Sequence, residues 1–207
     1  MMAVWKQLPA YKAEPGIDSL VGFYLKEIVS DHLKNDQIIG VIPEFPLRLG
    51  TLAIKEVHKE KKYADLSYKV DFYLLGESGT NYFVEFKTDS GSRNSKQDEY
   101  LQKDIEVKMP QFVDGIHSIL GATLAVYKHK YEHLIKKLKK LELTDDNKIY
   151  KGKSEKIEII YVQPRQDELL DATVIGFEKV SEWLKTNHGN SEYELELANA
   201  LSGWATH

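Results

Sequence analysis

Residues 68–89 read YKVDFYLLGESGTNYFVEFKTD. Two runs rich in aromatic and apolar residues flank the polar tetrapeptide ESGT, which is the pattern of a β-hairpin. With Glu77, Ser78 and Gly79 as a three-residue loop and Gly79 in the left-handed region that glycine tolerates best, Gly76 pairs with Thr80. Counting back from that pair sets Asp71 opposite Glu85, and Lys87, two residues on, joins their face. The opposite face brings Val70, Phe72 and Leu74 against Phe86, Val84 and Tyr82. A slip of one residue would send Asp71 to the other face from Glu85, so the cluster depends on the register.

An acid and a base inside an apolar strand admit two readings. Carboxylates at cross-strand separation repel unless a positive charge lies between them, and Mg2+, bound by oxygen ligands with several waters retained, is the natural occupant. Such an ion lowers the pKa of a bound water and stabilises charge on a phosphoryl oxygen, while Lys87 supplies a fixed donor beside it. Alternatively, Asp71, Glu85 and Lys87 form a cross-strand ion pair on a solvated face, contributing about 0.2–1 kcal/mol.

The chain around this hairpin has 207 residues, 42% of them hydrophobic and 11% aromatic, enough for one substantial core. A single domain spanning 1–207 is expected, with its core over about residues 16–163 and a C-terminal strand and helix extension over 164–207. The absence of cysteine excludes disulfides and thiolate zinc sites and fits a reducing compartment. No signal-peptide pattern opens the sequence and no run of about 18 apolar residues interrupts it, so a cytoplasmic, non-membrane protein is expected. A net charge of −4 argues against coating nucleic acid by bulk electrostatics, although lysines cluster at 55–62 and 128–140.

Periodicity supplies the neighbouring elements. GIDSLVGFYLKEIVSDHLKND predicts an amphipathic helix with Leu20, Phe23, Tyr24, Ile28 and Leu33 on its apolar face. IIGVIPEFPLRL predicts a strand that is bent or lies toward a sheet edge, because proline cannot donate to a ladder. Residues 50–67 have no clean period and read as a loop. A helical zone starts at Ser95 and runs until Pro110 interrupts it, with a further break at Gly121. Residues 122–142 then predict a helix with Tyr127, Tyr131, Leu134, Leu138 and Leu141 on one face and lysines opposite. KIEIIYVQP reads as an apolar strand, VIGFEKVSEWLKTN as a short amphipathic helix and the acidic end as a helical tail.

The motif Val70-Asp71-Phe72, then Val84-Glu85-Phe86-Lys87 with thirteen residues between the acids, resembles the PD-(D/E)xK nuclease superfamily. The order helix, strand, hairpin, helix, strand over residues 16–163 is similar to that family's core. Valine precedes Asp71 where the family's label has proline. The resemblance implies an α/β, restriction-endonuclease-like fold, a central mixed β-sheet flanked by α-helices. It also implies a metal-dependent nuclease hydrolysing DNA phosphodiester bonds. Asp71 and Glu85 would bind Mg2+, with Mn2+ an accepted substitute, and the Phe86 carbonyl would be a further ligand. Lys87 would position the nucleophile. Glu44 matches an acid that many members carry on the first core strand, and Gln97, with Tyr100 one turn on, matches a glutamine on the helix after the lysine. Some proteins of this fold have lost the site, so the alternative is an inactive domain serving as a nucleic-acid-binding or protein-interaction module.

DNA is the expected partner, and a homodimer would let a one-site chain cut both strands of a duplex, although no stretch marks an interface. Arg93, Lys96, Lys61 and Lys62 are candidate phosphate contacts near the motif. The lysines of 128–140 fit either a phosphate track or the wet side of a helix. His129 and His133 stand at metal-binding spacing, but neither a following glutamate nor a third ligand accompanies them. No nucleophile elbow, phosphate-cradling loop or dinucleotide fingerprint is present.

Overall fold

The predicted hairpin is present in the computed structural model, which describes residues 10–52, 65–88, 107–166 and 172–205, with side chains from residue 16 onward. Strand β2 (Ser67–Gly76) and strand β3 (Asn81–Phe86) are joined by the expected turn. The Gly76 N–H donates to the Thr80 carbonyl at 2.9 Å, and Gly79 has φ +92°. A methyl group on Gly79 would lie 2.5 Å from Lys153 Cβ, so both conformation and space select glycine here.

The remaining elements, in chain order, are α1 (Ala10–Gly22), α2 (Leu25–Leu33), β1 (Ile38–Arg48), α3 (Met109–Ala122), α4 (Lys128–Lys140), β4 (Ile157–Gln163), β5 (Ala172–Gly176), α5 (Phe177–His188) and α6 (Glu192–Ala205). A 3-10 turn, Ala125–Tyr127, precedes α4. The protein is an α/β fold with a five-stranded sheet in the order β1-β2-β3-β4-β5. The sheet is mixed: β2 and β3 form a hairpin, whereas β4 and β5 run parallel, with Ile159 opposite Ala172 and Gln163 opposite Gly176. The chain divides into two compact units, one drawn from Met1–Ile38, Val84–Ser95 and Ile159–His207, the other from Ile39–Phe83 and Lys96–Glu158. No helix among the described residues is long and apolar enough to cross a membrane.

In the second unit, β1 lies at a sheet edge, as its prolines predict, and bends at Glu44, which takes φ +53°. Phe45, Tyr73, Phe83 and Phe112 form its aromatic core. Ring centroids lie 5.0 Å apart for Phe45–Tyr73, 5.7 Å for Phe45–Phe83 and 5.5 Å for Phe83–Phe112. Such pairs contribute about 0.5–1.5 kcal/mol beyond their burial. Strand alternation puts Tyr73 on the Asp71 side of β2 and Phe83 on the Glu85 side of β3. The expected division into one apolar and one polar face therefore fails, because aromatic residues occupy both.

Asn81 ties this core to the loop before β4. Its Oδ1 accepts from the Tyr73 hydroxyl at 2.8 Å, and its Nδ2 donates to the Ser154 and Lys156 carbonyls at 2.7 and 3.1 Å. The Tyr150 hydroxyl donates to the same Ser154 carbonyl at 2.6 Å. Burial pushes the Tyr73 hydroxyl well above its ordinary pKa and raises that of Tyr150, so both remain protonated donors.

Four expectations are corrected. The first helix breaks at Phe23-Tyr24 into α1 and α2, shifting the phase. Ile17, Val21, Leu25, Ile28 and Val29 are buried, while Phe23 is 81% exposed. Pro110 does not interrupt a helix; it sits in the first turn of α3, where no N–H is needed, and Gln111 Oε1 accepts the Lys108 N–H at 2.9 Å. The start proposed at Ser95 lies outside the described residues. Leu134, Ile135 and Leu138 are the buried residues of α4, and Tyr127 is 54% exposed. Finally, Val174-Ile175-Gly176 is strand and not helix: it pairs with β4, and Gln166 bonds both the Val174 carbonyl and the Gly176 N–H.

In the first unit, Tyr24 donates to Glu194 Oε1 at 2.5 Å, and Ser191 bonds the other oxygen of that carboxylate at the start of α6. Burial, reinforced by Glu194, pushes the Tyr24 hydroxyl up to about 12, and the Tyr24 bond in turn lowers the Glu194 pKa. The folded state thus favours protonated Tyr24, a contribution present below the unfolded tyrosine pKa and lost as pH rises from about 10 to about 12. The Glu194 contribution runs the other way, present above the ordinary carboxylate range and lost as pH falls. Thermal melts of Tyr24→Phe should show a weaker alkaline decline than wild type.

Asn81→Ala should destabilise the protein by about 2–4 kcal/mol in urea titration, since it leaves the buried Tyr73 hydroxyl without its acceptor and the Lys156 carbonyl without its Asn81 donor, while the Ser154 carbonyl keeps the Tyr150 bond. A loss under 1 kcal/mol would mean that the network is not structural.

Candidate functional site

Strand β3 is buried along its whole length, from Asn81 through Phe86, and the following Lys87 is buried too. The Lys87 N–H donates to the Val162 carbonyl of β4 at 2.9 Å, so pairing continues one residue past the strand's end. Lys87 and Glu85 stand at two-residue spacing and share a side. Lys87 Nζ lies 3.3 Å from Glu85 Oε2, and each residue is only 2% exposed.

A buried ion pair is a weak device for stability. Removing two charges from water costs several kcal/mol per ion, and an apolar pair of similar volume is often as stable or more so. The 3.3 Å separation also exceeds the usual 2.7–2.9 Å of a tight charge-assisted bond. What the arrangement offers is chemistry: a carboxylate able to bind a cation or hold a proton, beside an ammonium in a low-dielectric setting where its field is strong.

The other predicted positions are distributed as follows. Asp71 lies on β2 and is half-buried, while Phe86 closes β3 with its side chain fully buried. The turn from which the Asp71–Glu85 register was counted is as expected. Glu44, at the bend of β1, pairs with Lys69 at 2.6 Å, and both side chains are more than half exposed. Gln97, Tyr100, Arg93, Lys96, Lys61 and Lys62 lie outside the described residues. His129 and His133 are exposed on α4.

Among the described residues, no group of three or more His, Asp or Glu side chains lies close enough together to hold a metal. The donors expected for Mg2+ are fewer, namely two carboxylates and a backbone carbonyl, which suffices for an ion that retains most of its waters. Of that set, Glu85 is the buried carboxylate, and it has the Lys87 ammonium beside it.

Sequence reasoning missed the surface around Tyr127, Lys130 and Tyr131 by assigning both tyrosines to a core face. The apolar run Leu124-Ala125-Val126-Tyr127, next to lysines and with no strand or helix period of its own, was the available signal. Compared with known proteins, the chain matches no family model, and no curated protein or solved structure is significantly similar to it.

Lys87→Met should cost about 3–5 kcal/mol by leaving the Glu85 carboxylate buried without its ammonium. The double variant Glu85→Gln, Lys87→Met should recover most of that loss. Additive losses in a double-mutant cycle would mean that the two groups are not coupled.

Proposed function

We propose that this protein is a metal-dependent phosphodiesterase acting on DNA, with a site of the PD-(D/E)xK nuclease type. The observation that carries the reading is the Glu85–Lys87 pair, two charges at 3.3 Å and 2% exposure at the end of a buried strand. The element order α2, β1, β2–β3, α3, β4 accords with a restriction-endonuclease-like core. Asp71 enters through the sequence motif and the hairpin turn.

Glu85, the Phe86 carbonyl and Asp71 would hold Mg2+ or Mn2+. Bound there, the ion would supply a water of lowered pKa and neutralise charge on a phosphoryl oxygen. Lys87 has a distinct part: its ammonium orients the attacking water and stabilises negative charge in the transition state, more strongly for being shielded from solvent. Glu85, 3.3 Å away, helps to direct that ammonium. Glu44 and Gln97 are the supporting positions in this reading, and a homodimer would provide the second site for cutting a duplex.

The 2% exposure of both groups also favours a second reading, a silent nuclease-like scaffold in which the pair is structural. Cleavage of plasmid and of single- and double-stranded oligonucleotides, with Mg2+ or Mn2+, separates them. Wild type should cut, and folded Lys87→Met should lose on the order of 10²–10³ in rate. Unchanged cleavage by Lys87→Met, or none by wild type on any substrate, would sink the nuclease reading.

A further inference from the structure

Two clefts of the second unit meet at Lys130 and Tyr131 of α4. One, about 330 Å3 in volume, is lined by apolar Ile42, Pro46 and Leu134 and by Lys69, Lys130 and Lys137. The other, about 470 Å3, shares Lys130 and Tyr131 and reaches Leu66, Ile119 and Tyr127. Around them the surface is unusually apolar: Leu66 is 51% exposed, Leu124 71%, Val126 67% and Tyr127 54%. Lys130 Nζ lies 5.9 Å from the centre of the Tyr127 ring.

Charge at this surface opposes that of the whole chain. Residues 128–140 carry six lysines and one glutamate, within a protein of net charge −4. The acids in the clefts are already matched, Glu44 by Lys69 at 2.6 Å and Asp65 by Arg48 at 2.7 Å. Lys139, on the same helix but outside both clefts, is held by Asp146 at 2.5 Å. Lys130 and Lys137 have no ion pair among the described residues.

The ligand that matches is anionic, longer than one cleft and supplied with flat apolar faces at intervals. We propose that the joined clefts form a track for single-stranded nucleic acid. Tyr127 and Tyr131 offer ring faces for bases, and Lys130 and Lys137 offer charge to the phosphates between them. A duplex would hide its base faces from these rings, and a small phosphorylated molecule would fill one cleft and leave the Tyr127 side unused. The inference does not rest on the nuclease reading, because it uses neither Glu85 nor Lys87 and its test needs no metal.

The test is fluorescence anisotropy with a labelled oligothymidylate of about 20 nucleotides, long enough for a track of this kind, in EDTA at two salt concentrations. Wild type should bind single strand more tightly than duplex. Tyr127→Ala should weaken binding about 5- to 150-fold, the range for loss of one stacked base. Lys130→Ala with Lys137→Ala should lower the salt slope by about 1.4, as for two lost phosphate contacts. Lys139→Ala should leave affinity unchanged, which distinguishes a track from bulk attraction. All four positions are on the surface, and thermal melts would verify folding. No binding at low salt, equal affinity for duplex, or indifference to Tyr127→Ala would overturn the proposal.

Discussion

A strand with no exposed face imposes a strict condition on any charge it carries, and β3 is such a strand. Its six residues are buried, and so is Lys87 directly after them. Burying a charge is costly unless it is paired, and Glu85 and Lys87 pair with each other at 3.3 Å. Spacing makes this possible, since residues two apart on a strand share a side, and the Lys87–Val162 bond carries the pairing past the strand's end. The pair needs the strand fixed on both sides, which ties it to the sheet.

That fixing comes largely from polar contacts inside an apolar core. Asn81 binds Tyr73 on the neighbouring strand and two carbonyls of the loop before β4. In the turn just before Asn81, Gly79 allows a conformation that would collide with Lys153 if any side chain were added. Phe45, Tyr73, Phe83 and Phe112 pack against one another along the two strands. Directional bonds at the strand's start and aromatic packing along it specify one register, and register decides which side chains share a side with Glu85.

Much of this was legible because the governing signals are local. Glycine in ESGT, alternation on either side of it and prolines in IIGVIPEFPLRL correctly gave the turn, the two strands and an edge strand. The Glu85–Lys87 pair was legible as well, two charges in a run with no other reason to hold them. Burial was harder to read. The expectation of a polar face failed because Tyr73 and Phe83 occupy it, and packing partners such as Phe112 are distant in sequence. Val174-Ile175-Gly176 was assigned to a helix because its apolar residues continue the period of α5, whereas pairing with β4 makes it strand. Phe23 and Tyr127 misled for a related reason: an apolar residue at helical spacing suggests a core, yet a break in the helix moves it to the surface.

The site reading holds that Glu85 sits in a buried setting so that a cation can use it. Calorimetric titration of Mn2+ into wild type and into the double variant Asp71→Asn, Glu85→Gln tests this most directly, with a DNA oligomer present to complete the coordination. The account predicts one saturable site in wild type and its loss in the folded variant. An identical titration in both, or no binding in wild type, would contradict it and leave the Glu85–Lys87 pair as a structural feature of the sheet.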